Sequence, residues 1–349
     1  MSRVPGAPRI AVVGAGSLIG EALLAELREK KFPRAELHLL DDARELGRNV
    51  DTEDERLPVA DVAAFDFARV DLAFFCGRAA ISERYAEAAA ATAWVIDSSS
   101  AFRGRLDVPL IVADVNGAEL TAIVDHAIHG LVALPGSASA GLATVLGPLH
   151  AYAELERVEV ATYQAVSGSG RSAMEGLAAE TVDLLGGRTT KRHNFGRQIA
   201  FNVIPQVDVF GDDGISLEER RLSAETCRVI GAAHVAINAT AVRVPVFFGH
   251  CFAVHASFKG SASVDGAAEI LRRSKGIELI DAGSARQFPT PATEALSPDR
   301  VYVGRLRADS TRDAALNFWI VADNVRKCAA LNAFSVAQIL VNRTPVSYS

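Results

Sequence analysis

The chain reads as an α/β protein: a Rossmann-type doubly wound parallel sheet followed by an α+β domain built on a mixed sheet. Three observations predict this. An aliphatic run, Arg9 to Val13, ends at Gly14-Ala15-Gly16 and gives way to a helical pattern, Leu18 to Leu27. A second aliphatic run, Leu37 to Leu40, ends in Asp41-Asp42, so strand, glycine turn, helix and strand form a βαβ unit, the seed of a parallel sheet. Beyond Leu134-Pro135 the character changes to alternating runs separated by long excursions, which is the pattern of a mixed or antiparallel sheet with helices on one face.

The elements follow in order. Later strands of the first domain are expected at Leu72 to Phe75 and Trp94 to Ile96, with an alanine-rich helix, Arg84 to Ala91, between them. In the second domain a helix is expected over Ala140 to Leu155, then strands over Val158 to Val166, Ala232 to Pro245 and Cys251 to Lys259. The tail, Asp323 to Val341, has apolar residues at helical spacing. With 349 residues the chain is long enough for two domains. They are expected over 1–133 and 134–323, with a C-terminal helix, 324–343, packing back on the first.

Composition bounds the function. At 49% apolar and 22% charged residues the chain can build a large core. A net charge of -6 supplies no field that would draw it to nucleic acid or to an anionic membrane. The four cysteines, Cys76, Cys227, Cys251 and Cys328, stand singly. They suggest neither a disulfide framework nor a zinc site, and they fit a reducing compartment. Met1 to Arg9 lacks the basic patch and apolar run of a signal peptide, and no apolar stretch reaches the ~20 residues of a membrane span. A cytoplasmic protein with no membrane partner is expected.

Gly14-Ala15-Gly16-Ser17-Leu18-Ile19-Gly20 lies between strand and helix, the context in which glycines let the backbone approach a pyrophosphate at a helix N-terminus. An ordinary tight turn would use the same residues. At the end of the second strand a carboxylate would bind a ribose 2′-hydroxyl and an arginine a 2′-phosphate; Asp42 and Arg44 offer both. Two carboxylates beside a phosphate repel it, and solvated loop charges are the plain alternative.

Four stretches of the second domain are dense in special residues. Leu134 to Gly141 is a small-residue turn feeding a helix N-terminus, where an anion or activated nucleophile gains from the dipole and where Ser137 would also serve as a simple cap. Thr162 to Gly170 runs from strand to glycine loop and carries Gln164. Gln198 to Gln206 follows, and Arg243 to His250 sets a cation and a histidine either side of Pro245 and Gly249.

Ala161 to Gly170, Gln198 to Asp208, Arg243 to His250 and Asn317 to Asn332, with Asp97 to Arg103 and Asp107 to Leu110, resemble bacterial aspartate-semialdehyde dehydrogenase in order along nearly the whole chain. The resemblance implies NADP or NAD as cofactor, a homodimer joined through a catalytic and dimerisation domain, and a place in amino-acid biosynthesis. It also implies a mechanism: a cysteine thiolate attacks the aldehyde, hydride passes to the dinucleotide, and phosphate cleaves the thioester. On that pattern His250 is the general base, Gln164 orients substrate, and Arg243 clamps its carboxylate. Arg103 belongs to the phosphate site, and Glu218 and Arg221 match a glutamate and a lysine, the latter near the phosphate. Gly14, Gly16, Ser17, Leu18, Ile19, Asp42, Arg44 and Asn324 fall at cofactor-binding positions.

The sequence departs from the pattern where it matters most. Gly136-Ser137-Ala138 stands where the family has asparagine and the nucleophilic cysteine. A thiol near pKa ~8.5 is readily ionised beside a histidine at a helix N-terminus, whereas a serine needs a general base and an oxyanion hole. Ser17 replaces a glycine of the turn, and Asp42 a serine beside the 2′-phosphate. In lacking the cysteine the chain resembles the USG-1 group of the family. The expectation is a dinucleotide- and anion-binding dimer whose phosphorylating oxidation is lost or greatly weakened. The alternative is an active NAD(P)-dependent semialdehyde dehydrogenase using Ser137 or another group on a small-molecule aldehyde.

Overall fold

The computed structural model describes residues 7–51, 56–127, 129–189, 194–280, 287–294 and 299–342. Residues 1–6, which bear on the leader argument, and 343, the end of the expected last helix, lie outside them. The chain divides into two compact units, Met1–Gly136 with Ala329–Ser349, and Ser137–Cys328.

In the first unit β1 (Arg9–Val13), α1 (Leu18–Glu29) and β2 (Glu36–Asp41) form the opening βαβ unit, and a small hairpin, β3 (Asn49–Asp51) with β4 (Arg56–Pro58), and a short β5 (Ala60–Asp61) follow. Then come β6 (Leu72–Phe75), α2 (Ala79–Ala90), β7 (Trp94–Asp97), α3 (Ala113–Val124) and β8 (Gly130–Ala133). The strand order β5-β2-β1-β6-β7-β8 is parallel throughout, as the sequence predicts for a doubly wound sheet. Right-handed crossovers leave β1 and β6 in opposite directions, so the carboxyl ends of these neighbours mark the switch point where such sheets take ligands. Because the sheet is covered, its strands are continuously apolar: Ile10, Val12, Leu72, Phe74, Ile96 and Val132 are wholly buried. Each such side chain contributes about 1.5–3 kcal/mol by leaving water. Helix α8 (Leu331–Asn342) adds Ala333, Phe334, Ala337 and Leu340 to the same core, with Phe334 edge-on to Phe32 at 5.4 Å.

The second unit contains α4 (Ser137–Ala153), β9 (Leu155–Gln164), α5 (Arg171–Leu185), α6 (Leu217–Val229), β10 (Ala236–Arg243), β11 (His250–Phe258), α7 (Val264–Arg273), β12 (Ile277–Leu279), β13 (Val301–Ala308) and β14 (Ala315–Ala322). Its sheet runs β10-β9-β11-β14-β13-β12. The two outer pairs, β10 with β9 and β12 with β13, are parallel, and the inner pairings are antiparallel. This is the expected mixed sheet. Alternate residues such as Val158, Val160, Phe252, Val254, Phe318 and Ile320 are buried on one face, toward the side packed by α4 and α6. The opposite face carries Glu159, Tyr163, Thr240, His255 and Trp319 around an open hollow of about 570 Å³.

Several boundaries differ from the sequence reading. The helix expected from Ala140 begins at Ser137, and residue 155 already belongs to β9. The helix expected from Arg84 starts at Ala79, and the last one opens with a widened turn, Arg326–Ala330, before α8 proper. Strand β10 is shorter than the alternating run because Val244, Pro245 and the residues to Gly249 form a connection, with Val246 N–H bonded to the Val244 carbonyl.

Candidate active site

Register explains why distant residues of the second unit meet. Strands β9 and β10 run in parallel, so their last residues, Gln164 and Arg243, are paired. Strand β11 runs antiparallel to β9 with Cys251 opposite Tyr163, so His250 starts beside the end of β9. Period two places Gln164, Arg243 and His250 on the helix-covered face, and all three are at most 4% exposed. Ser137, first residue of the 17-residue helix α4, completes the group with its hydroxyl 3.3 Å from His250 Nε2.

The hydrogen bonds define the state of each group. The Ala165 N–H donates to His250 Nδ1 at 3.2 Å. A backbone N–H can only donate, so Nδ1 is the unprotonated nitrogen and the neutral ring carries its proton on Nε2, facing Ser137 Oγ. Burial, and then the nearby Arg243 charge, push the ring down to a pKa of about 3. Among the described residues no carboxylate is bonded to this imidazole. The Asn324 carboxamide oxygen accepts the Gly249 N–H at 3.0 Å and its nitrogen donates to Ser167 Oγ at 3.0 Å, bracing the loop before His250.

Arg243 is buried yet sparsely satisfied. One terminal nitrogen donates to the Ala165 carbonyl at 2.7 Å, the guanidinium stacks 5.4 Å from the Phe195 ring, and Nε has no hydrogen-bond partner. Among the described residues it forms no ion pair within 4.0 Å. Burial lowers its pKa to about 10 despite the field of Glu218. Gln164 Nε2 donates to Glu218 at 2.8 Å, which fixes the amide. Arg221, one turn along α6, is ion-paired with Asp208 at 3.0 Å. The loop between these elements is held by a buried group absent from the sequence reading: Glu180 accepts the N–H of Ile199 and Ala200 at 2.8 and 3.0 Å, next to Phe201 at φ 59°. The thiols of Cys251 and Cys328 are buried and burial pushes both up to about 12, so neither stands ready as a thiolate.

In the first unit the glycine turn is packed tightly enough to test its residues against a dinucleotide. Gly14, at φ 80°, lies so close to the end of β6 that a methyl there would sit 2.5 Å from Gly77 N, and one on Gly20 would meet the Gly14 carbonyl at 2.3 Å. Ser17 caps α1, accepting the Gly20 N–H at 2.9 Å and donating to the Cys76 carbonyl at 2.8 Å. As first-turn donors, the N–H groups of Leu18 and Ile19 have no partner within the helix. The cradle and helix N-terminus fit a pyrophosphate. Of the arginines around it, the sequence alone points only to Arg44. Arg44 lies 3.6 Å from Asp42, Arg48 bridges Glu21 and Glu45 at 3.1 Å each beside Gly16, and Arg78 is hydrogen-bonded to Asp42. Nothing in the spacing of Arg78 signalled this; the pairing exists only once β2 and β6 flank β1. For Asp42, burial alone would raise the pKa, but the Arg44 N–H and the Arg78 charge outweigh it and hold the carboxyl below its ordinary value. Arg103 donates to the backbone carbonyls of Leu134 and Ser98 at 2.9 and 2.7 Å.

Comparison with known proteins matches both halves of the chain. Residues 9–123 match the family described as semialdehyde dehydrogenase, NAD binding domain, and residues 146–327 its dimerisation domain. An aspartate-semialdehyde dehydrogenase of Legionella pneumophila is 40% identical over 332 residues, covering 95% of each chain. A USG-1 protein homolog of Pseudomonas aeruginosa is 38% identical, covering 95% of this chain and 97% of its own. The crystal structure of aspartate semialdehyde dehydrogenase II from Vibrio cholerae superposes with a TM-score of 0.92 at 37% identity, over 96% of this chain and 99% of that one.

Proposed function

The chain belongs to the aspartate-semialdehyde dehydrogenase family, and from that premise we propose that it keeps the family's dinucleotide domain and anion pocket but not the covalent step. One observation carries this reading: the Ala165 N–H occupies His250 Nδ1, so Nε2 presents a proton to Ser137 rather than a lone pair. A serine becomes a nucleophile when a base removes its proton during attack. Here the facing nitrogen is a donor, and the depressed pKa of the ring keeps it neutral.

The same arrangement suits a sulfur. A donor at Nε2 and the N-terminus of a long helix both stabilise a thiolate, so a cysteine at position 137 would sit as an activated anion. With serine, the site retains a buried guanidinium seeking a carboxylate or phosphate, and an amide oriented by Glu218. Arg243 and Gln164 would hold a small anionic ligand, with Ser137 and His250 as further donors. Arg103, Glu218 and Arg221 are assigned to substrate or phosphate binding, and Asn324 to bracing the His250 loop. NADP or NAD would be held at Gly14, Gly16, Leu18 and Ile19, with Ser17 shaping the turn and Asp42 and Arg44 at the ribose. The bound cofactor would supply a hydride acceptor. The half-exposed face of the second sheet, around Tyr163, His255 and Trp319, is the surface a second copy would cover in a homodimer.

The convergence of Gln164, Arg243 and His250 favours a second reading, an active NAD(P)-dependent semialdehyde dehydrogenase with Ser137 or another group as nucleophile. One assay separates them: phosphate-dependent reduction of NADP or NAD with aspartate semialdehyde, run on wild type and Ser137→Cys. A silent wild type and an active variant support loss of the covalent step in an intact pocket. Robust wild-type turnover, abolished in Ser137→Ala, overturns it.

A further inference from the structure

The carboxyl ends of β2, β1 and β6 lie side by side, and a strap of charge crosses them. Asp42 leaves the end of β2 and Arg78 leaves the end of β6; their hydrogen bond therefore passes over the end of β1 and its glycine turn. The Asp42 carboxylate is held in place from both sides. Its Oδ1 accepts the Arg44 N–H at 3.1 Å, its Oδ2 takes Arg78, and the Arg44 side chain lies 3.6 Å away. Arg48, the third cation near the turn, is committed to Glu21 and Glu45. Arg44, Arg48 and Arg78 are thus each already matched to a carboxylate.

In parallel sheets of this order the adenosine ribose lies at the end of β2. A 2′-hydroxyl there asks for one acceptor, and a carboxylate has about four lone-pair sites, of which two are in use. It can bind without disturbing the strap. A 2′-phosphate must bring a dianion against Asp42 and Glu45, and it gains Arg78 only by breaking the Asp42 pair. Resting on the dinucleotide-binding reading above, we propose that Asp42, braced by Arg78 and Arg44, makes this chain select NAD over NADP. The two arginines are a latent 2′-phosphate site that the single carboxylate masks.

The experiment is calorimetric titration of the full chain with NAD and NADP, which needs no turnover. Wild type is expected to bind NAD at least about tenfold more tightly, about 1.4 kcal/mol. Asp42→Ser should invert the order by freeing Arg78 and Arg44. Asp42→Asn, which keeps the shape, should at least erase the preference. The double variant Asp42→Ser with Arg78→Met should lose the gained NADP affinity. Wild-type binding of NADP as tight as or tighter than NAD overturns the proposal while leaving the domain's role intact. Absence of binding by either dinucleotide to wild type and variants overturns both. An Asp42→Ser variant that still prefers NAD assigns the selectivity elsewhere and refutes the mechanism.

Discussion

Acidification should destabilise the second unit through His250, because burial holds the ring neutral in the fold. The side chain sits at 2% exposure with its pKa pushed down to about 3, first by burial and then by Arg243, from an ordinary 6.5. A base with a folded pKa below its unfolded one binds fewer protons folded than unfolded. Its contribution is therefore undiminished above pH ~6.5 and is eroded as pH falls from there toward 3. At pH 5 the unfolded chain gains about 1.5 units of protonation free energy that the folded chain cannot, or about 2 kcal/mol at ~1.36 kcal/mol per unit. That figure depends on the unfolded value alone, provided the folded one lies well below 5. The assay is urea unfolding at pH 7.5 and pH 5.0 of wild type and His250→Asn, whose amide oxygen can still accept the Ala165 N–H. Adding Trp94→Phe to both proteins leaves Trp319 fluorescence to report the unit that holds the ring. Other titrating groups act equally in both, so the variant should lose about 2 kcal/mol less than wild type over this interval. An identical pH response would refute the buried neutral imidazole, and with it the argument that Nε2 faces Ser137 as a donor.

Arg243→Met should raise stability at pH 7 by about 1–3 kcal/mol, because a guanidinium pushed from 12.5 to about 10 is a net cost to the fold. Phosphate or a small dicarboxylate should raise the melting temperature of wild type and not of this variant; a less stable variant would contradict the unpaired-cation reading. Gly14→Ala should cost at least about 3 kcal/mol and abolish dinucleotide binding, since the methyl meets Gly77 N at 2.5 Å and the backbone is at φ 80°. A thermal melt with and without NAD checks this, and near-normal stability would show that the turn relaxes at little cost.

The parts of this protein written in local sequence were readable one stretch at a time. The turn from Gly14 to Gly20 declares itself because glycine tolerates a left-handed backbone and close approach, and because Ser17 is a good helix cap. The parallel sheet followed from the succession of strand, glycine turn, helix and strand over Arg9 to Leu40. Helix starts were less legible. Small residues from Gly136 to Gly141 give no periodic signal, so the sequence places the start of α4 three residues too late and makes Ser137 a residue before the helix rather than its first member. The hairpin β3–β4 gives no signal because its strands are three residues each, too short to show an alternating pattern.

By itself, then, the sequence determined the class of each domain and the family, which are properties of residue type and short-range order, and it raised the expectation that Ser137 stands where the family has a thiol. Tertiary structure decided the chemistry. Ser137 and His250 are 113 residues apart, and only strand register and the packing of α4 bring them to 3.3 Å. Which imidazole nitrogen carries the proton depends on the Ala165 N–H, a backbone group whose direction is invisible in any side-chain pattern. Likewise Asp42 is one acid among several until β1 sets β2 and β6 on either side of it and Arg78 reaches across. Side-chain identity is local, but protonation and pairing follow from distance and burial, which the chain acquires only by folding.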